Sequence, residues 1–337
     1  MFSRRARRFP ALPCARARRR RCRGDPGSNC RAPSDLRETQ LSLATRTQSP
    51  PRGRVNLDHL AHFVPDPNAC RSALLQLGFS PAPFSLQYHR LSPGEPLLPA
   101  GTGNHCVMLE EGYLEFLAPL AETGVAAQLR SAIGRYVGAH SIVFGTSDAE
   151  NDYRRLRGSG FAPLPPIQLQ RPIGTAQAEE TARFTVVRVA PGVMPEGRIQ
   201  FCQHHTEDLV WQERWLSHPN GAVALRAVFV CVEDLDAAAE RYARFTGSRL
   251  ETRPGSRILS LQRGRVELYD APAFGAAFGI EAPPLPWIAG CELACRDLGQ
   301  TRAVLCNGVF TLHEIAARRI LVRGPAAVGG IFIFSDA

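Results

Sequence analysis

One spacing recurs four times along the 337-residue chain. Each time, an apolar strand-like run ends in an aspartate, a helix-like segment follows, and a phenylalanine or glycine stands thirteen residues after the aspartate. The pairs are Asp66 and Phe79, Asp148 and Phe161, Asp234 and Gly247, and Asp297 and Phe310. Aspartate favours the start of a helix and glycine its end, so this internal repeat predicts four strand–helix units.

Three further strand-like runs follow each helix, as in FSLQYHRL, NHCVMLEEG and YLEFLAP of the first unit. The repeating unit is therefore βαβββ. A single unit leaves one sheet face bare, so units are expected to pair around a shared cavity. The sequence predicts an α+β fold with four βαβββ modules paired into two cupped mixed β-sheets. The expected divisions are a leader at 1–54, a first pair with the active site at 55–220, and a second pair with a degenerate site at 221–337.

The leader holds fifteen of the 40 basic residues but only three of the 31 acidic ones. The rest of the chain, with 25 basic and 28 acidic residues, is slightly acidic and shows no basic stripe, which excludes a nucleic-acid partner. Arginine clusters with Pro, Gly and no hydrophobic period predict a disordered leader. A presequence helix is disfavoured by Pro10 and Pro13, and a twin-arginine export signal by the short, broken apolar stretch that follows.

Two further patterns bear on the compartment. No apolar run reaches 18 residues, so no membrane-spanning helix is predicted. The ten cysteines form no Cys-x-x-Cys pair, and those beyond the leader fall mostly inside apolar runs. This pattern predicts free buried thiols and a cytoplasmic protein.

The repeat resembles that of the vicinal oxygen chelate superfamily, which includes glyoxalase I, extradiol dioxygenases and fosfomycin-resistance proteins. The stretches LDHLAHFVPD, GTGNHCVMLEEGYLEFLAP, GAHSIVFGTSD and RIQFCQHHTEDLVWQERWLSHPNGA look like its glyoxalase-like domain branch. The resemblance covers about residues 55–337. It implies a divalent metal in the cup, held by first and last strands of paired modules, that chelates two oxygens of a small-molecule substrate. It also implies that the chain can form a homodimer.

Carried over by position, the resemblance places metal ligands in the first pair. His59 lies seven residues before Asp66, at the first-strand ligand position, and Glu115 in YLEF occupies the last-strand carboxylate position. RIQF aligns with YLEF, so Gln200 takes the corresponding place in the second module. The first-strand position of that module is Ser141, a poor ligand.

The second pair departs further from the pattern, with Ala227 and Gly290 at its first-strand positions. Extradiol dioxygenases hold iron in the second pair with two histidines and a glutamate, and glyoxalase I has a last-strand glutamate in its second module. This chain matches neither arrangement.

Other polar residues of the first pair are candidates for direct chemistry. His105 and His204 are predicted catalytic groups, and Asn104 and Arg183 are predicted to bind substrate, Arg183 through a carboxylate. The alternatives are a turn and strand for Asn104 and His105, a weaker third metal ligand in place of Gln200 for His204, and a solvated strand end for Arg183. His62 lies on the opposite strand face from His59, which favours a packed or interfacial role.

Two functions remain open from the sequence. The first is a metal-dependent glyoxalase-like enzyme, of the lyase, isomerase or dioxygenase type, acting on a small oxygen-rich molecule. The second is a non-catalytic protein that binds or sequesters a small molecule without metal, as the incomplete ligand set suggests.

Overall fold

The computed structural model describes residues 47–89, 96, 98–175, 178–308 and 310–337. The predicted disorder of the leader therefore falls almost entirely outside the described residues. At its end, Gln48 is buried, and the backbone N–H groups of Gln48 and Ser49 donate to the Glu207 carboxylate. Residues 47–50 thus pack against the first pair of modules, although the sequence division at 54 assigns them to the leader.

The chain forms four βαβββ modules, which confirms the α+β prediction. The first contains β1 (Asn56–Phe63), α1 (Pro67–Gln76), β2 (Ser85–His89), β3 (Leu98–Met108) and β4 (Tyr113–Pro119), followed by α2 (Gly124–Arg135). The second contains β5 (Gly138–Gly145), α3 (Ala149–Gly158), β6 (Ile167–Gly174), β7 (Glu179–Arg188) and β8 (Arg198–His204), followed by α4 (Glu207–Val210) and a 3-10 turn (Glu213–Trp215). The third contains β9 (Ala222–Cys231), α5 (Leu235–Thr246), β10 (Arg249–Arg253), β11 (Ser256–Ser260) and β12 (Arg265–Tyr269), followed by α6 (Ala271–Phe278). The fourth contains β13 (Trp287–Cys295), α7 (Leu298–Asn307), β14 (Leu312–Ala316), β15 (Arg319–Arg323) and β16 (Ile331–Asp336).

The repeated aspartate has the same physical role in all four modules. Its carboxylate accepts hydrogen bonds from backbone N–H groups in the first turn of the helix that follows, in α1, α3, α5 and α7. These N–H groups have no partner inside the helix, so the side chain supplies one. The constant interval therefore reflects the length of helix between its cap and the turn that follows it.

The first two modules close into a ring of eight strands. β1 runs parallel to β4 and antiparallel to β5, and β5 runs parallel to β8. At the other side, β2 pairs with β6, so the order β1-β4-β3-β2-β6-β7-β8-β5 returns to β1. The inner face of this ring encloses a cavity.

The last two modules pair through β9 and β13 but stay open. Their strand order is β10-β11-β12-β9-β13-β16-β15-β14, and within the described part of the chain β10 and β14 do not pair. The two pairs meet where β13 bridges β5 at Ile288 and Ala139. One hydrophobic cluster, which includes Leu60 and Phe332, runs through both pairs.

His62 occupies this junction, as the opposite face of β1 predicts. Its ring is fully buried and stacks on Phe116 of the first pair and Phe332 of the second. Neither ring nitrogen has a hydrogen-bond partner. Burial, and to a smaller extent the nearby His140, lower the pKa of His62 to about 3.

The described cysteines largely follow expectation. Six are free and buried, namely Cys70, Cys106, Cys202, Cys231, Cys291 and Cys295. Cys306 is the exception, because it is disulfide-bonded. Among the described residues, no helix is both long enough and apolar enough to span a bilayer.

Replacing the exposed cap Asp234 tests the origin of the repeat. We expect Asp234→Ala to lower the free energy of unfolding by about 1 kcal/mol, because the N–H of Ala237 loses its acceptor. Asp234→Asn keeps an oxygen at that point and should lose much less. Urea unfolding of the three proteins measures this, and equal losses for Ala and Asn would contradict the capping role.

Acidification tests the burial of His62. The folded ring stays neutral, whereas the unfolded chain takes up a proton below a pKa of about 6.5, so stability falls as the pH drops through that value. Between pH 6.5 and 5, His62 accounts for a loss of about 2 kcal/mol at most. We expect His62→Phe to remove that part of the loss in urea unfolding, while the wild type and variant keep a constant difference above pH 7.5. Parallel pH profiles from pH 5 to 8 would refute the assignment.

Candidate functional site

The ring of the first pair surrounds a cavity of about 380 Å³. This volume lies within the range of about 300–1,000 Å³ that is usual for small-molecule sites. Five residues singled out from the sequence line it: His59 on β1, Asn104 on β3, Glu115 on β4, Ser141 on β5 and Gln200 on β8. Tyr113, Glu115 and Leu117, alternate residues of β4, all face the cavity.

A bulge in β1 changes the alternation at its start. In the pairing of β1 with β5, Leu57 is opposite Phe144 and His59 is opposite Val143, so Asp58 is an extra residue. Leu57 consequently packs in the main core, whereas regular strand alternation would place it on the same face as His59. The bulge places the Asp58 carboxylate beside the ring of His59, where regular alternation would put it on the other face.

Asp58 is a buried acceptor for two imidazoles. One of its oxygens, Oδ2, lies 2.6 Å from Nδ1 of His59 and 3.1 Å from Nε2 of His204. Burial alone would raise the pKa of Asp58, but the facing histidines hold it well below its usual range. Burial would likewise lower the pKa of His204, and the Asp58 charge instead raises it well above its usual range. The two form an ion pair between β1 and β8.

The ionised carboxylate fixes the orientation of His59. A carboxylate only accepts hydrogen bonds, so Nδ1 of His59 carries the proton. Nε2 is then the ring atom that faces the cavity, 3.7 Å from Oε2 of Glu115. The Tyr113 ring stacks on His59 at 4.2 Å between centroids, and its hydroxyl lies 3.5 Å from Nε2.

Two amides hold the other Glu115 oxygen. The side-chain N–H groups of Asn104 and Gln87 both donate to Oε1, the Gln87 contact being 3.3 Å long. Thr102 in turn donates to the Gln87 oxygen at 2.8 Å. Oε1 is therefore occupied, and Oε2 is the oxygen left for a ligand near His59. The structure thus places Asn104 as a support for Glu115, at the wall of the cavity.

Three predicted residues lie outside the cavity. His105 bonds through Nδ1 to the Ala82 carbonyl and packs against Phe84. The side chain of Arg183 is exposed, in the middle of β7, on the face opposite to Phe184 and Val186, which line the cavity. His204 adjoins the site through Asp58 and through edge-on ring contacts with the cavity residues Tyr113 and Phe184. The structure thus brings together His59, Glu115, Gln200 and Asn104, and it separates His105 and Arg183 from them.

His59 and Glu115 are suitable ligands for a divalent ion, but two donors alone do not complete its coordination. Two atoms that bind one ion at about 2.1 Å are about 3–4 Å apart, and Nε2 of His59 and Oε2 of Glu115 meet that condition. Asp58 on Nδ1 and the two amides on Oε1 are the outer contacts that orient metal ligands. In the described part of the chain, no three His, Cys, Asp or Glu side chains converge as a metal cluster. The Gln200 amide and substrate oxygens would have to complete the coordination.

Among the described residues of the second pair, the corresponding donor positions offer no comparable free pair. Glu267, which corresponds to Glu115, is paired with Arg265 at 2.6 Å and accepts a hydrogen bond from Tyr269. Gly290 takes the histidine position of the fourth module, and a Cβ there would lie 1.9 Å from the Ile331 carbonyl oxygen. No side chain fits at that place, which explains why the ligand pattern is lost.

Sequence reasoning missed Asp58, Tyr113 and two arginines of the cavity wall, Arg188 and Arg198. Asp58 directly precedes His59, but only the bulge brings its carboxylate to the imidazole. Arg198 lies two residues before Gln200 on the same strand face, a spacing that could have identified it. Arg188 depends on the pairing of β7 with β8, which places it opposite Gln200.

Removing the Asp58 carboxylate should destabilise the fold. We expect Asp58→Ala to lower the free energy of unfolding at pH 7 by about 3–5 kcal/mol, because a buried charged His204 loses its partner. Asp58→Asn retains an acceptor oxygen and should lose less. Asp236→Ala, which breaks an ion pair at a mostly exposed carboxylate, is the control and should change stability by less than about 1 kcal/mol. Equal effects of Asp58→Ala and Asp236→Ala in urea unfolding would contradict a buried ion pair.

Comparison with known proteins agrees with this architecture. The family model described as "Glyoxalase-like domain" matches residues 57–246. A hypothetical protein from Staphylococcus aureus has 13% identity and a TM-score of 0.60, over 84% of this chain and 100% of its own. A mutant 4-hydroxymandelate synthase from Streptomyces coelicolor has 16% identity and a TM-score of 0.48, over 84% and 93%.

These structural likenesses concern the fold alone, and no curated protein matches the chain by sequence. The family match covers more than half of the chain, from the start of β1 to the end of α5. The match spans the first pair of modules, which holds the cavity, and the first strand and helix of the third module. The chain belongs to the glyoxalase-like domain family.

Proposed function

We propose that this protein is a glyoxalase-like enzyme that binds a small oxygen-rich molecule in the first-pair cavity and activates it with a divalent metal. The observation that carries the proposal is the geometry of His59 and Glu115. Nε2 of His59 and Oε2 of Glu115 face each other. Nδ1 of His59 is held by Asp58, and Oε1 of Glu115 is held by the amides of Asn104 and Gln87. Histidines and carboxylates that bind a metal usually have such hydrogen-bond partners behind them.

Three side chains would hold the metal: His59 through Nε2, Glu115 through Oε2, and Gln200 through its amide oxygen. A bound divalent ion would supply Lewis-acid stabilisation of negative charge that develops on two neighbouring substrate oxygens. The chain's own contribution is orientation. Asp58 fixes the imidazole, and the amides of Gln87 and Asn104 fix the carboxylate.

Tyr113 provides a hydrogen-bond donor near the reacting atoms. Burial, and then the charge of Asp58, raise the pKa of the Tyr113 hydroxyl well above its usual range, so it remains protonated. The hydroxyl lies 3.5 Å from Nε2 of His59 and can donate a hydrogen bond to a substrate oxygen bound beside that atom. The cavity wall excludes much of the water that would otherwise weaken this hydrogen bond.

Metal binding tests the proposal. We expect chelated and refilled wild-type protein to bind about one Mn²⁺, Co²⁺ or Zn²⁺ per chain in equilibrium dialysis, and the His59→Ala/Glu115→Ala protein to bind none at that site. Asp58→Asn should weaken binding by about 10–100-fold, because the imidazole loses its fixed orientation. The control is Glu267→Gln, which alters the corresponding glutamate of the second pair and should leave binding unchanged.

The incomplete donor set favours the alternative of a metal-free binding protein, and the same experiment separates the two. Absence of metal from the refilled wild type, or equal binding by wild type and the double variant, would overturn the metal mechanism. Stoichiometric binding that depends on His59 and Glu115 would support it. A screen of diols and 2-oxoaldehydes for turnover would then follow with the metal-loaded protein.

A further inference from the structure

We propose that Arg188 and Arg198 form a subsite for a carboxylate, so that the ligands of the first-pair cavity are small organic acids with an apolar body. This inference deepens the proposed function, because it names the substrate class of the same cavity. It depends on binding alone and can be tested without metal or turnover.

The two arginines are cations without a direct counter-charge. Both line the cavity and are only partly exposed. Nε of Arg188 is buried with no hydrogen-bond partner. Across the residues that the structure describes, no carboxylate forms an ion pair within 4.0 Å of Arg188 or Arg198. Charged groups held away from water are normally paired, so an unpaired set in a cavity indicates an anionic ligand.

The groups that lie nearest to the two guanidiniums do not neutralise their charges. The Arg198 guanidinium lies 5.4 Å from the centre of the Phe63 ring, a contact that contributes attraction but no negative charge. Glu115 is near enough to raise the pKa of Arg198, yet one of its oxygens is bound by two amides and the other faces His59. Burial, and then the charge of Arg188, lower the pKa of Arg198 to about 10. Both guanidiniums therefore remain charged at neutral pH and repel each other.

Strand geometry places the two guanidiniums at one part of the wall. Arg188 is opposite Gln200 in the pairing of β7 with β8, and Arg198 is two residues before Gln200 on the same strand face. The proposed metal ligand Gln200 is thus adjacent to both. A third cation, Arg171, also lines the cavity, and among the described residues Glu115 is the only carboxylate that does so. The described lining is therefore positive overall, even before a metal adds charge.

The remainder of the wall selects an apolar body. It consists mainly of aliphatic and aromatic side chains, among them Leu117, Val125, Ile167, Leu169, Phe184 and Val186. A guanidinium can bind a carboxylate through two parallel hydrogen bonds, which fixes the orientation of the bound acid as well as its affinity. An acid held there would keep its apolar part against this wall and its oxygens near Gln200.

Matched ligand pairs test the inference on the whole, metal-free protein. The probes are acetate and acetamide, hexanoate and hexanamide, and phenylacetate and phenylacetamide, measured by calorimetric titration at pH 7.5 with a chelator present. We expect the larger acids to bind the wild type at least about tenfold more tightly than their neutral amides. Arg198→Gln and Arg188→Gln should each reduce that preference about tenfold or more, with little change in amide affinity.

Two further variants keep the result interpretable. Arg198→Lys retains the charge but not the paired donors, and we expect it to retain part of the preference. Arg183→Gln removes the exposed arginine on the opposite face of β7 and should leave the preference unchanged. Circular dichroism and urea unfolding of each variant verify that it folds.

The outcomes are decisive in either direction. A wild type that binds no acid of the series more tightly than its amide would overturn the inference. So would an acid preference that survives in both folded Gln variants, or one that is lost in Arg183→Gln instead. Acid binding that requires Arg188 and Arg198 while dialysis finds no metal would uphold the subsite and refute the metal mechanism, so the two proposals fail separately.

Discussion

A βαβββ module cannot bury the inner face of its own sheet, and the rest of this structure follows from the way that face is covered. The antiparallel pairing of β1 with β5 joins the first two modules, and the pairing of β9 with β13 joins the last two. Only the first pair also closes at its far side, through β2 and β6. Closure converts a bare sheet face into an enclosed cavity, in which charges interact strongly because water is largely excluded.

The two pairs use buried charge differently. In the second pair, Arg265 bridges Glu267 and Glu292, and Arg319 also binds Glu292, so each carboxylate has an arginine partner. In the first pair, Glu115 faces a histidine, and two arginines have no carboxylate partner. The charges of the second pair are thus matched within the protein, and their role is structural. In the first pair, positive and negative groups are both incompletely neutralised, which is the condition expected of a site that receives a charged ligand.

The candidate site was partly accessible from the sequence. His59 and Glu115 could be placed because each occupies a fixed position relative to the repeat, and strand alternation then assigns the inward face. Asp58 could not be placed in this way, because it is an extra residue in β1 and the side chains before it therefore face the opposite way from what regular alternation predicts. Arg183 illustrates the opposite error: an arginine at the start of an apolar run suggested a carboxylate site, but the cavity receives Arg188, five residues later on the other face of the same strand.

What the sequence determined by itself was the module. Local signals of short range, a capping aspartate, a helical run and a closing glycine or phenylalanine, specify each unit and its order, and four repetitions specify that the units pair. What only the tertiary structure decided was which charges meet. The Asp58–His204 ion pair joins residues 146 positions apart, and the Arg188–Arg198 subsite depends on how β7 registers against β8. Such contacts are set by strand pairing and by a bulge, and these depend on the packing of distant segments, which no local pattern records.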